Sequence, residues 1–240
     1  TRHCVSHYEE TRLLLAARAD IVAAGCAPMQ VSELAADLVK SAKWQAKGSG
    51  KVVWFLDPVS AVTPSVGQAF AKLAKAAKVE YQTVTGGCIG KALKVLGMIK
   101  ESKKVAGEFG KFVNALGADI LVVSSPAAYD ALVNDFKEYG VKLNCKVMHS
   151  SEFILSCQLK FKKPVADVYY LESDFLRNYN LDYPYVRQLL DALKVKCKPF
   201  GTNDEESYSC GEGAAVLNRL YPQLTEELAK YVEAPADNPK

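Results

Sequence analysis

Two distant segments of this chain can be laid over one another. Residues 69–84 read AFAKLAKAAKVEYQTV and residues 185–200 read YVRQLLDALKVKCKPF, helical positions over helical positions and strand over strand. The segment before each one also matches in kind. Val52, Val53, Trp54, Phe55 and Leu56 form a β-branched and aromatic run that Asp57-Pro58 breaks. Val168, Tyr169, Tyr170 and Leu171 form a second such run, followed by an acidic and asparagine-rich turn. Runs of this composition are buried strands. Phe70, Leu73 and Ala76 stripe the first helix, and Val186, Leu189, Leu190 and Leu193 the second, at spacings of three and four. Each unit closes on small residues and a cysteine: Gly86-Gly87-Cys88-Ile89-Gly90, then Cys210-Gly211. Internal self-similarity on this scale governs the whole reading. It predicts an α/β chain of two pseudo-repeated strand–helix–strand modules with parallel sheets.

Outside the repeat, the chain opens on an α-helical arm. A helix is predicted over 6–24, with Leu13, Leu14, Ala17, Ile21 and Val22 on its apolar face, stopped by Gly25. Pro28 leads into another, where Val31, Leu34, Ala35, Leu38 and Val39 repeat the pattern. Lys47-Gly48-Ser49-Gly50 reads as a linker. An arm this short has no core of its own and must pack on something else. After Cys88 a helical region runs to Gly117, interrupted near Gly97 and Gly107. Residues 119–123, apolar on both faces, suit a central parallel strand. Ser124-Ser125-Pro126 turns into a helix over 127–139, and a strand over 143–148 follows. His149-Ser150-Ser151-Glu152 then starts a helix with Ser150 or Ser151 as its N-cap. The predicted parts are an arm (1–47), a first half (51–163), a second half (164–233) and a mobile tail (234–240). Strands alternating with helices point to layered α/β packing.

The totals narrow the function. With 240 residues the chain can bury a full core. A net charge of +3, with lysines scattered along helix faces as plain solvation, gives no footprint for nucleic acid. No apolar run approaches the ~18–20 residues of a membrane span, so any membrane link runs through a partner. Thr1 opens the sequence without a secretory signal pattern, a processed terminus and a trimmed one reading alike. The seven cysteines (Cys4, Cys26, Cys88, Cys145, Cys157, Cys197, Cys210) contain no CxxC and no zinc spacing, which suits a reducing compartment.

These landmarks, in this order, resemble the cysteine-rich CCG-domain family over about residues 51–232. The family includes heterodisulfide reductase subunits, anaerobic glycerol-3-phosphate and glycolate oxidase subunits, and the anchor subunit of non-classical succinate dehydrogenases. In the first half, Asp57-Pro58 stands where the family has Gly-Cys, and Cys88-Ile89-Gly90 stands for Cys-Cys-Gly. Ser125-Pro126-Ala127-Ala128-Tyr129 stands for Cys-Pro-x-Cys-Tyr, and His149-Ser150-Ser151-Glu152-Phe153 matches His-x-x-Glu-Phe. In the second half, Leu171-Glu172-Ser173-Asp174-Phe175-Leu176 replaces His-Asp-Pro-Cys-Tyr-Leu, and Arg187 keeps the helix-start arginine. Ser209-Cys210-Gly211-Glu212-Gly213 replaces Cys-Cys-Gly-x-Gly.

The resemblance implies iron–sulfur clusters at positions whose ligands are gone. A cubane cluster takes four thiolates. The first site offers Cys88 beside Pro58, Ile89, Ser125 and Ala128, and the second offers Cys210 beside Asp174 and Ser209. The expectation is therefore no cofactor, no metal and no catalytic residue. What is expected instead is a structural subunit of a membrane-associated respiratory complex, best matched to the succinate dehydrogenase type. Its partners would be an iron–sulfur subunit and a membrane anchor, at the matrix side of the mitochondrial inner membrane or the cytoplasmic side of a bacterial one. The alternative is an oxidoreductase subunit with one non-standard iron–sulfur cluster, or with thiol chemistry at Cys210.

The remaining candidates read more plainly. Cys88 and Cys210 each fall at a helix start that could activate a thiol, yet no histidine stands near in sequence to do so. His149 is either a base or a satisfied histidine at a helix start. His3, Cys4 and His7 have loose metal spacing. The loop at Gly86–Gly90 lacks both the dinucleotide fingerprint and the phosphate-loop lysine. Asp204-Glu205-Glu206 reads as a solvated loop.

Overall fold

The computed structural model describes residues 10–161, 167–180, 183–198, 211 and 213–237, with Asn178 and 232–237 described by backbone alone. Helices α1 (Glu10–Ala23) and α2 (Met29–Ser41) form the arm. A strand follows at once: β1 (Trp44–Gly48) runs through the predicted linker. Then come β2 (Val52–Leu56), α3 (Pro58–Ala61), α4 (Pro64–Ala77), β3 (Tyr81–Gly86), α5 (Lys91–Val95) and α6 (Ile99–Ala115). Next are β4 (Ile120–Val123), α7 (Pro126–Asp130), a π-helical turn (Ala131–Asp135) and α8 (Phe136–Glu138). β5 (Lys146–His149) and α9 (Ser150–Ser156) complete the first half. The second half holds β6 (Val168–Tyr169), α10 (Asp174–Asn178), α11 (Tyr185–Ala192) and β7 (Cys197–Lys198). After a 3-10 turn (Gly213–Ala215) come α12 (Val216–Leu220) and α13 (Pro222–Asp237).

Two sheets result, one of five strands ordered β1-β3-β2-β4-β5 and one of β6-β7. All neighbours run parallel except β1, which pairs antiparallel with β3. The central strand β2 is buried on both faces. Trp54 stacks on Phe70 at 4.2 Å between ring centres, in a cluster with Ala74, Met148 and Phe153 from α4, β5 and α9. Val53 and Phe55 turn to the other face and meet Phe109 of α6 and Phe136 of α8. Helices therefore cover both sides, the arrangement a parallel sheet requires. β4, predicted as central, lies between β2 and β5.

The internal repeat is visible at the joints. A constant spacing of 116 residues relates Val52 to Val168, Tyr81 to Cys197, and the parallel pairings Val52↔Tyr81 and Val168↔Cys197. The same spacing relates the caps of the following helices, Asp57 and Ser173, which accept backbone N–H groups of α3 and α10. It also relates Lys78 and Lys194, both left-handed at φ 56° and 55°, which end α4 and α11. Even their closing bonds correspond: Val79 N–H to Ala74 O at 2.9 Å, and Val195 N–H to Leu190 O at 3.1 Å.

The arm is built into the first half. α2 buries Leu34, Ala35 and Leu38 against Leu93, Leu96, Met98 and Val105, with Val216 of α12 joining; each buried leucine contributes about 2 kcal/mol of transfer free energy. Gly87 sits so close to Ser41 that a methyl there would run into its backbone. Gly97, at φ +87°, ends α5 and lies against the backbone of Arg18 in α1, while Arg18 Nη1 donates to Val95 O at 2.9 Å.

Several expectations need correction. α1 turns Leu15, Ala19 and Val22 inward, whereas Leu13, Leu14, Ala17 and Ile21 of the predicted apolar face are exposed. Glu10, Arg12, Arg18 and Asp20 are spread around the helix among its apolar residues, so periodicity does not fix its orientation. Gly107 interrupts nothing; α6 runs through it, half-buried and with open space where a side chain would stand. The acidic, asparagine-rich turn is partly the helix α10, because Ser173 caps it by accepting Leu176 N–H at 3.3 Å. α9 is capped by the His149 ring, not by Ser150 or Ser151. Helix α13 carries its backbone to Asp237, past the point where a tail was expected.

Candidate functional site

The sheet order β3-β2-β4-β5 brings the C-terminal strand ends side by side, with the reversal of winding between β2 and β4. This is where open α/β sheets place ligands. Four of the predicted positions converge here. Pro58 opens α3 and is exposed, and Ser125 caps α7 by accepting Ala128 N–H at 3.3 Å. Ile89 and Ala128, each 5 % exposed, share one apolar cluster with Phe55 and Val84. Asp57 is 4 % exposed and fully engaged. Its Oδ1 accepts Val59 and Ser60 N–H, and its Oδ2 accepts the Ser60 hydroxyl at 2.6 Å.

Cys88 leaves this group. It packs with the arm cluster, apart from its neighbour Ile89. Its Sγ accepts Gly90 N–H at 3.2 Å. Burial pushes the thiol above its ordinary range, although backbone N–H groups of Gly90, Leu93 and Ala92 pull the other way. A thiol held protonated is a poor nucleophile and a poor metal ligand. Asp174 lies in the second half as the first residue of α10, 3.7 Å from Arg177. Ser209, Cys210, His3, Cys4, His7 and Asp204-Glu205-Glu206 lie outside the described residues. Among the described residues no three His, Cys, Asp or Glu side chains group so as to hold a metal ion.

His149 closes the edge at β5. Its Nε2 lies 3.0 Å from Ser124 O, which can only accept, so Nε2 carries the proton and Nδ1 accepts. The Ser151 hydroxyl then donates to Nδ1 at 2.9 Å and accepts from Tyr183 OH at 2.9 Å. Tyr129 and Tyr183 pack edge-on against the ring. Burial lowers the imidazole pKa to about 4, with the Ser124 bond opposing. A base this weak takes little part in proton transfer near neutral pH. The Ser–His pair is a buried cap.

The most charged buried feature was missed by sequence reasoning, which took the lysines as solvated. Lys91 and Lys94 of α5 face Asp130 and Asp135, and Lys91, Asp130 and Asp135 are buried. Lys91 Nζ contacts Asp135 at 2.9 Å and pairs with Asp130. Lys94 reaches Asp135 at 2.8 Å and Glu138 at 2.7 Å. Against the downward pull of burial, these carboxylates hold Lys94 above its ordinary pKa. Bonding from i to i+5 in the π turn puts Asp130 and Asp135 on one side of their helix. The second half leans on this group: Asn180 Nδ2 donates to Asp130 Oδ1 at 3.0 Å, and Lys91 lies 5.3 Å from the Phe175 ring centre. Chemically this is a joint, with each charge answered by an opposite one.

No family model, curated protein or solved structure matches this chain. Among the described residues, no helix is long and apolar enough to cross a membrane.

Proposed function

We propose that this chain is a non-catalytic structural subunit of a membrane-associated respiratory electron-transfer complex, most like the succinate dehydrogenase type. It would derive from a CCG-domain protein whose cluster ligands have been replaced. One observation carries the reading: the loops that would hold iron at the first site end in caps and core. Ile89 and Ala128 are buried in an apolar cluster, Ser125 caps a helix, and Cys88 faces elsewhere with its thiol held protonated. These residues do not fit an iron–sulfur cluster, which takes four thiolates.

The exposed face of α1 supports a partner. Leu13 and Leu14 are 71 % and 57 % exposed, and Ile21 is 47 % exposed. Apolar groups massed on one helix face are covered in an assembly more often than left in water. Other subunits, an iron–sulfur subunit and a membrane anchor among them, would supply redox chemistry and membrane attachment. The compartment would be the mitochondrial matrix side or the cytoplasmic side of a bacterial membrane.

The test is isolation of the native assembly through a tag on this chain, with metal analysis of each subunit. The expected result is stoichiometric recovery of an oxidoreductase with its iron in other subunits. A chain recovered alone and monomeric overturns the assembly reading. Stoichiometric iron and sulfide on this chain replaces it with a cluster-bearing subunit.

A further inference from the structure

The five-stranded sheet ends at β5, and that end is shaped to receive another strand. Lys146 N–H donates to Asp119 O at 2.9 Å, so the peptide groups of Lys146 face β4. By the alternation of a strand, those of Val147 face outward. They meet no partner among the described residues. Beside this edge lies an open groove of about 440 Å³. Leu132 and Val133 of the π turn, Val141 and Leu143 of the following loop, and Val147 of β5 line it. Lys137 and Lys142 stand exposed on its rim, and neither has an ion-pair partner among the described residues.

We propose that this edge and groove bind an extended segment of a partner protein as a sixth strand, with apolar residues at alternate positions and acidic residues flanking them. A strand edge beside a helical wall is a recurring way to capture extended peptides: main-chain bonds give affinity and the groove reads alternate side chains. The lysines decide the charge of the occupant. Natural edges are often guarded by lysine alone, but guarding requires no apolar trough beside the edge. A second copy of this chain is disfavoured, because its own edge would bring the same lysines against them. The surface deepens the assembly reading, on which it rests for the partner being another subunit, yet it is tested on the purified chain alone.

The probe is a synthetic peptide of alternating Val and Thr with two acidic residues at each end, compared with the same peptide ending in lysines. Fluorescence anisotropy with the full chain should show the acidic form binding about tenfold more tightly. Amide exchange at Val147 should slow on binding. The double charge reversal Lys137→Glu/Lys142→Glu should invert the preference. Val147→Pro, which removes an outward N–H and trims one side chain of the groove lining, should weaken binding about tenfold with the main sheet intact. Equal binding of both peptides, unchanged exchange at Val147, or concentration-dependent dimerisation in place of peptide binding each overturn the proposal. If Val147→Pro fails to fold, the lysine reversal still decides. Failure here leaves the recovery of a native assembly unaffected, so the two outcomes are separable.

Discussion

The Ser151 hydroxyl and the His149 ring hold each other at 2.9 Å across the first turn of α9, the serine donating to Nδ1. The pair ties the end of β5 to Tyr183 in the second half. The ring is the Nε2–H tautomer, donating to Ser124 O and accepting at Nδ1, and burial disfavours its charged form.

Stability should therefore depend on pH through His149. Its folded pKa of about 4 lies below the ordinary 6.5, so the unfolded chain binds the extra proton between these values. The contribution is fully present above pH 6.5 and is lost as pH falls toward about 4, on the order of 3 kcal/mol in all. Urea unfolding at pH 7, 5.5 and 4 measures it. His149→Asn, which can still cap a helix, should flatten this part of the profile. An unchanged slope would place the titration elsewhere.

Lys91→Met should destabilise the chain by about 3–5 kcal/mol, since it leaves Asp130 and Asp135 buried with less than their share of positive charge. Adding Asp135→Asn to that variant should restore part of the loss. The comparison of the two midpoints in denaturant is the measurement; equal midpoints would mean the carboxylates never depended on Lys91.

Phe70→Ala should cost about 3–5 kcal/mol. Phe70 stacks on Trp54 at 4.2 Å and on Phe153 at 5.9 Å, so its removal opens a cavity between β2, α4 and α9. The tryptophan fluorescence of the folded state should change in the same variant, and a midpoint within error of the parent would contradict this packing.

The arm separates two kinds of variant. Gly87→Ala should loosen the joint with Ser41 and cost about 1–3 kcal/mol. Leu14→Asp with Ile21→Asp should change the stability of the isolated chain by no more than about 0.5 kcal/mol per site, as expected of exposed positions. The same pair should reduce recovery of the native assembly. Thermal melts and tagged recovery, run side by side, check both halves.

The sequence and the fold agree best where a side chain's neighbours lie nearby in the chain. The strand at 52–56, Phe70 and Leu73 of the α4 stripe, and the turn at Ser124-Ser125-Pro126 were legible from local pattern, although Ala76 of the predicted stripe is exposed and Ala74 is buried in its place. β1 was not: Trp44–Gly48 carries weak alternation and a glycine, and it becomes a strand only by meeting β3, about forty residues away. The cap of α9 was placed one or two residues late because histidine is an uncommon cap, favoured here by Ser124 across the sheet. The Lys91 and Asp130 group stayed hidden for the same kind of reason. Its members are scattered in sequence, and only a π turn aligns Asp130 with Asp135. Within the candidate site, Pro58, Ile89, Ser125 and Ala128 were grouped by the family resemblance alone, and it is the strand order that puts them at neighbouring C-terminal strand ends. The departure of Cys88 into the arm's cluster did not, since it depends on α2 docking there.

The duplicated joints at 116-residue spacing carry one more implication. The earlier copy is flanked by three further strands, while the later one has a ribbon of two short strands and props itself on its sibling through Asn180 and Tyr183. The two modules thus stand as host and dependant. Severing the polypeptide between them would leave the host able to stand, and the dependant without anything to stand on.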